Sequence, residues 1–235
     1  MSDGALKRLW LMQLSDSALP VGALSHSFGV ETLAAEGALS VETLEGFLRD
    51  YLGEVGLLES AFCRAAHRVG KCDAETFAGE EWLRLNARLG ALKPARESRA
   101  GGAVLGRRFL RLAAELCESR RMLAALEVAE RAAVEVHHCA AFGLAGGALG
   151  IDEDATALAY LHQTLANLVS ACQRLLPLGQ QRASGILWRL KPALVEACEQ
   201  SRGAALDLDD AACFAPLLEL ASMRHPGLET RLFIS

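Results

Sequence analysis

Glu59, Cys63 and His67 follow one another at four-residue steps, so on a helix they share one face. A carboxylate, a thiol and an imidazole are all metal-ligand types, and a divalent transition ion would accept them together. The same spacing also suits a helix that buries Cys63 and leaves Glu59 and His67 at the margins of the core. Glu135-x-x-His138 is half of the carboxylate–histidine pattern that holds a di-iron centre. The other half, a second such pair with two more inward glutamates, is not evident. His137 and His138 are neighbours, and on a regular helix adjacent side chains diverge by about 100°, so they cannot grip one ion. These residues define one function class: a small helical metal-dependent enzyme using Glu59, Cys63 and His67, or Glu135 and His138.

Other chemistry finds less support. Ser25-His26-Ser27 places a hydroxyl beside an imidazole, but there is no GxSxG and no strand to build a nucleophile elbow. Ser25 and Ser27 are expected to cap the helix that follows. No GxxxxGK[ST] occurs, which excludes P-loop nucleotide hydrolysis. Gly143, Gly146, Gly147 and Gly150 recur in GLAGGALG with no strand before them, so they do not form a phosphate cradle. Small residues at helical spacing let two backbones approach closely. They serve packing inside the fold or across a dimer interface.

The elements that must carry these residues are helices. Of 235 residues, 42 are Leu and 41 are Ala, whereas Val, Ile and Thr together supply 20. Ala and Leu favour helix and β-branched residues favour strand. The chain is expected to be all-α, at least about 60% helical against the one-third typical of globular proteins. Sheet-based folds are excluded. Net charge is −5, which argues against nucleic acid as a partner. Val136–Ile151 lacks Asp, Glu, Lys and Arg, but it is shorter than the roughly 20 residues of a membrane span and carries two histidines. No membrane partner is expected. The first twenty residues lack the apolar run of a signal peptide, so a cytoplasmic location is expected. The seven cysteines are irregularly spaced and include no CxxC. They read as small core residues under reducing conditions, not as disulfides or a zinc site.

Periodicity predicts helices over Ala5–Leu14, about Ser27–Glu36 with Gly37 as C-cap, and a stretch behind Ser40 carrying Val41, Leu44, Leu48, Tyr51 and Val55. Further helices are predicted over Leu57–Val69, Ala74–Leu89, Ala95–Cys117, Arg120–Leu149 with a mid-span break, and Ala155–Leu176 behind an Asp152 or Asp154 cap. Gln180–Gln200, kinked or split at Pro192, and Asp209–Met223 complete the set. The expectation is about nine to ten short helices in one globular domain over 1–235, with an irregular segment over about 1–25. The end of the chain, MRHPGLETRLFIS, follows a helix stop at Pro226 and Gly227. It sets Leu228, Leu232, Phe233 and Ile234 among Arg224, His225 and Arg231. Apolar anchors beside arginines are what an interface hot spot uses. Residues 224–235 are therefore expected to dock on a partner, while the helical body upstream holds its own core.

Five segments, in order, resemble the urease accessory protein UreF family. The first is LPVGALSHSFGVE, through Leu19, Pro20, Gly22, Ser27, Gly29 and Glu31, with Leu24 for the family's Phe and Val30 for its Leu. The second is RAGGAVLGR, with Arg99 and Gly106 matching and Gly102 in place of Ser. The third is the glycine-rich HHCAAFGLAGGALG, and the fourth is RLLPLGQ, through Arg174, Leu178, Gly179 and Gln180. The last is the final segment, where Arg224, His225, Arg231, Leu232, Phe233 and Ser235 match and Pro226 replaces Glu. Ser184-Gly185-Ile186 stands where the family often has a second Gly-Gln pair. The resemblance implies an all-helical, cytoplasmic, dimeric protein with no catalytic centre and no cofactor of its own. It further implies partners: a UreD- or UreH-type accessory protein, the GTPase UreG and the urease apoprotein. Together they deliver nickel to the urease active site, where a lysine is carbamylated.

Overall fold

The computed structural model describes residues 3–72, 77 and 79–235. The chain is 72% helical without strands among the described residues, as the Ala and Leu content predicts. Twelve α-helices appear among these residues, slightly more than expected. They are α1 (Asp3–Leu14), α2 (Val30–Ala35), α3 (Leu44–Tyr51), α4 (Leu57–Lys71), α5 (Gly79–Ala91), α6 (Arg96–Leu116), α7 (Arg120–Arg131), α8 (His138–Ala148), α9 (Glu153–Leu175), α10 (Gln180–Arg189), α11 (Lys191–Ala204) and α12 (Pro216–Arg224). No helix among the described residues is long and apolar enough to cross a membrane.

The centre of the fold is α8. Every residue from His138 to Gly147 is buried, so the helix has no solvent face. A helix apolar all round belongs in the core. It lies against α4 at backbone distance: a Cβ on Gly143 would collide with the Cys63 carbonyl oxygen, and one on Gly147 with that of His67. Gly70 of α4 returns the contact to the Leu144 carbonyl. The glycine run thus packs two helices of the same chain together. Around this pair, Phe62, Trp82, Phe109, Phe142 and Leu144 anchor one apolar cluster. A second cluster joins α2, α3, α9, α10 and α11 through Leu33, Leu44, Leu48, Leu165 and Leu190.

Several boundaries were set by turn chemistry. The predicted 120–149 helix breaks into α7 and α8, because Ala133 turns into positive φ and the Asn86 amide oxygen accepts the His137 N–H at 2.9 Å. Pro192 splits its helix by taking an opening position of α11, where a missing N–H costs nothing. The helix predicted from Asp209 starts only at Pro216. Asp207 forms a side-chain turn with the Asp209 N–H at 3.1 Å, and Ala215, before the proline, lies outside the helical region at φ −118°, ψ 56°. Asp152 caps α9 as expected, its carboxylate accepting the Ala155 N–H at 2.9 Å. Ser25 and Ser27 cap nothing: α2 opens behind Gly29 with no side-chain cap. Ser40 caps a turn one step before α3, accepting from Glu42 and Thr43. The predicted start at Ala74 lies outside the described residues.

Candidate functional site

The N-terminal motif, the first turns of α6, the end of α9 and the last eleven residues meet in one place. Gly29 makes this possible. It sits at φ +91°, and a Cβ there would stand 2.7 Å from the Ser222 hydroxyl and 2.9 Å from the Leu218 carbonyl of α12. Only glycine lets α2 start here with α12 laid across it.

Glu31, buried on the first turn of α2, is the centre of the arrangement. Its Oε2 lies 2.7 Å from His225 Nε2. Its Oε1 accepts the Leu232 N–H at 2.6 Å, and Oε2 also accepts the Phe233 N–H at 3.2 Å. His225 is fully buried, and its Nδ1 faces Glu97 Oε2 of α6 at 2.9 Å. Each ring nitrogen of His225 thus faces a carboxylate oxygen from a different helix. Arg231 stands 3.9 Å from Glu97, which extends the chain of contacts from Glu31 through His225 and Glu97 to the final segment.

The final residues continue the zipper. The Ser235 carbonyl accepts the N–H groups of Ser27 and Phe28, and the Ile234 N–H donates to the Ser25 carbonyl at 2.8 Å. His26 Nδ1 and the Ser235 hydroxyl are 2.6 Å apart. Burial, then the charge of Arg108, hold His26 below its ordinary pKa. Gly101 of α6 leaves room for this pair, since a Cβ would lie 2.7 Å from the Ser235 hydroxyl. Arg174, at the end of α9, covers the Phe233 ring at 4.3 Å and donates to the Leu24 carbonyl at 3.0 Å.

The segment therefore does not hang free. Its inner residues, His225, Phe233 and Ser235, are buried against the chain's own α2, α6 and N-terminal motif. The outward residues are Leu232, 55% exposed, and Ile234, 67% exposed, with Leu24 of the N-terminal motif beside them at 42%. Arg231 is exposed on the same segment, Leu228 is half-buried, and Arg224 pairs with Glu36 at 2.7 Å.

The remaining motif residues do structural work elsewhere. Arg99 donates to the Lys93 carbonyl at 2.9 Å, and Gly106 meets the Val136–His138 backbone. Leu178 enters the second cluster, Gly179 precedes α10, and Gln180 opens it. Gly146 faces the Thr156 side chain, and Gly150 ends α8 at φ +62°. Pro20 is exposed at the loop before α2.

The proposed metal ligands are not brought together. Glu59 is spent on Lys93 and on the Tyr160 hydroxyl, which donates at 2.7 Å. Burial alone would raise the Glu59 carboxyl, but the adjacent Lys93 ammonium outweighs it and holds it low. Cys63 is fully buried, and His67 Nε2 lies 2.8 Å from the Ile151 carbonyl. Glu135 falls in the break before α8 beside Arg99, while His138 sits among the rings of Phe109, Phe142 and Tyr160. Among the described residues no three His, Cys, Asp or Glu side chains are placed to hold a metal ion. Sequence reasoning missed Glu97 and Gly101, and it weighed His26 against its neighbouring serines when its partner is Ser235. Glu97 has no signal of its own, whereas Glu31 stands out as a lone acid in the otherwise uncharged helix VETLAA.

The fold is all-helical among the described residues, and its site is a buried knot that ties the final segment of the chain to α2, α6 and the N-terminal motif. The UreF family model matches residues 39–191. The urease accessory protein UreF of Lachnoclostridium phytofermentans is 32% identical over 96% of this chain and 97% of its own length. That of Nostoc is 34% identical over 97% and 95%, and that of Geobacillus kaustophilus 32% over 97% of each. The chain belongs to the UreF family of urease accessory proteins.

Proposed function

We propose that this chain is a cytoplasmic, non-catalytic scaffold of urease maturation. Acting as a homodimer, it joins a UreD- or UreH-type protein and the GTPase UreG on the urease apoprotein and promotes nickel insertion. It carries no resident cofactor; nickel is cargo of the assembly. The reading rests on family membership, and one structural observation supports it: the outward face of the Glu31–His225 knot.

Leu24, Leu232 and Ile234 are apolar and exposed, and their main-chain atoms are bonded to Arg174, Glu31 and Ser25 respectively. A flexible tail would spend much of its binding energy on being ordered; this one is ordered already. Burying such a side chain contributes roughly 1.5–3 kcal/mol. Two lost contacts then weaken binding by two or more orders of magnitude, at about 1.4 kcal/mol per tenfold. The test is Leu232→Asp with Ile234→Asp in the full chain, co-expressed with the UreD-type protein of the same host. The melting temperature stays near wild type and co-purification is lost. A well-folded double variant that still co-purifies contradicts the reading.

A further inference from the structure

Along the outer face of α6, Val104, Arg107, Arg108 and Arg111 recur at helical spacing, all exposed, and Glu115 closes the row. With Pro20 and Leu112 they line a groove of about 470 Å³. We propose that this groove is a docking site for a carboxylate-bearing surface segment of a partner protein.

The argument begins with pairing. Several guanidinium groups of the chain meet its own carboxylates: Arg64 on Asp154 at 2.6 Å, Arg189 on Glu45 at 2.8 Å, Arg202 on Asp154 at 2.8 Å. Among the described residues, Arg107 and Arg108 have no carboxylate within 4.0 Å and Arg111 has only a 3.9 Å contact with exposed Glu130. Three cations stand together on a protein whose net charge is −5. Like charges gathered without partners repel, and an external anion relieves them.

The groove also says which anion. Arginine matches carboxylate and phosphate equally well. An extended polyanion, however, would meet Glu115 inside the groove, Glu130 beside it and the negative field of the whole chain. A protein segment with two carboxylates carries far less negative charge, so it meets less of that repulsion, and its apolar residue fills the space between Val104, 42% exposed, and Leu112. Arg108 lies across Gly22, its guanidinium 2.9 Å from where a Cβ would stand. Gly22 in turn lies two residues before Leu24 of the N-terminal motif. The groove is continuous with the proposed docking face but uses different side chains.

The probe is a fluorescein-labelled helical peptide of fourteen residues carrying two Glu and one Leu on one face, with a Glu→Gln twin and a fourteen-base oligothymidylate as comparisons. Anisotropy is read on the full chain at low and high salt. The Glu peptide binds about tenfold tighter than its twin and about tenfold weaker at high salt. Arg107→Glu with Arg108→Glu removes binding at an unchanged melting temperature, and Arg107→Gln with Arg108→Gln weakens it part-way. The Leu232→Asp, Ile234→Asp variant binds as wild type, so failure of the tail and failure of the groove are told apart. Equal binding of the two peptides, retained binding by the arginine variants, loss in the tail variant, or tighter binding of the oligonucleotide would each overturn the proposal.

Discussion

Glu31 Oε2 and His225 Nε2 lie 2.7 Å apart although 194 residues separate them in the chain. Both are buried, and the same carboxylate receives the N–H groups of Leu232 and Phe233. One acid on α2 thereby holds three groups of the final segment. The proposed docking face is built on this contact.

Replacing Glu31 should be the most damaging single change in the knot. Glu31→Ala leaves His225 facing only Glu97 and strands two backbone donors. Breaking a buried pair by removing one partner costs about 3–5 kcal/mol. For a chain of this size about 1 kcal/mol corresponds to roughly 2–4 °C in melting temperature. Thermal melting should fall by about 6 °C or more. Limited proteolysis should then cut within residues 228–235, which the wild type protects.

The α4–α8 contact makes a sharper prediction than the glycine pattern alone. Gly143→Ala and Gly147→Ala add a single methyl against a backbone carbonyl that cannot swing aside. Overpacking costs about 1–3 kcal/mol and more where backbone must move, so both variants should sit at or above the top of that range. Gly46→Ala on α3 meets nothing within 4 Å and should instead stabilise by about 0.5–1 kcal/mol. Urea denaturation of the three variants checks the order.

Acid should unfold the protein through its histidines before its carboxylates. Burial, then the Lys93 charge, lower His137 to about 3; burial lowers His138 to about 4. Both are neutral in the fold and protonate near 6.5 when unfolded. Their contribution is full above pH 6.5 and is lost as pH falls towards 4. His26, His67 and His162 are lowered in the same direction. Each group lost this way contributes up to about 1.4 kcal/mol per pH unit. Urea melts at pH 7.5, 6.5, 5.5 and 4.5 should show stability falling throughout the lower window. His138→Phe, placed among three aromatic rings, should flatten the slope.

The sequence announces some of this and conceals the rest, for physical reasons. Helix content follows from Ala and Leu, and the Asp152 cap from local chemistry. The convergence of the ends does not, because periodicity carries no information on contacts between residues some 200 positions apart. Leu232, Phe233 and Ile234 look alike in the sequence, but the fold buries Phe233 under Arg174 and leaves the other two outside. The Glu59, Cys63, His67 face is real on α4, yet Lys93, Tyr160 and the Ile151 carbonyl claim its donors from other elements. A one-helix pattern cannot foresee those neighbours.

The central claim, that this chain promotes nickel insertion through the outward face of the knot, is tested most directly by metal content. Urease would be purified from host cells lacking this chain, complemented with the wild type or with the Leu232→Asp, Ile234→Asp variant, and its nickel per active site measured by mass spectrometry. Urease should be filled with the wild type and near-empty with the deletion and with the variant, although the variant accumulates normally. Urease fully loaded with nickel in the deletion strain would contradict the account.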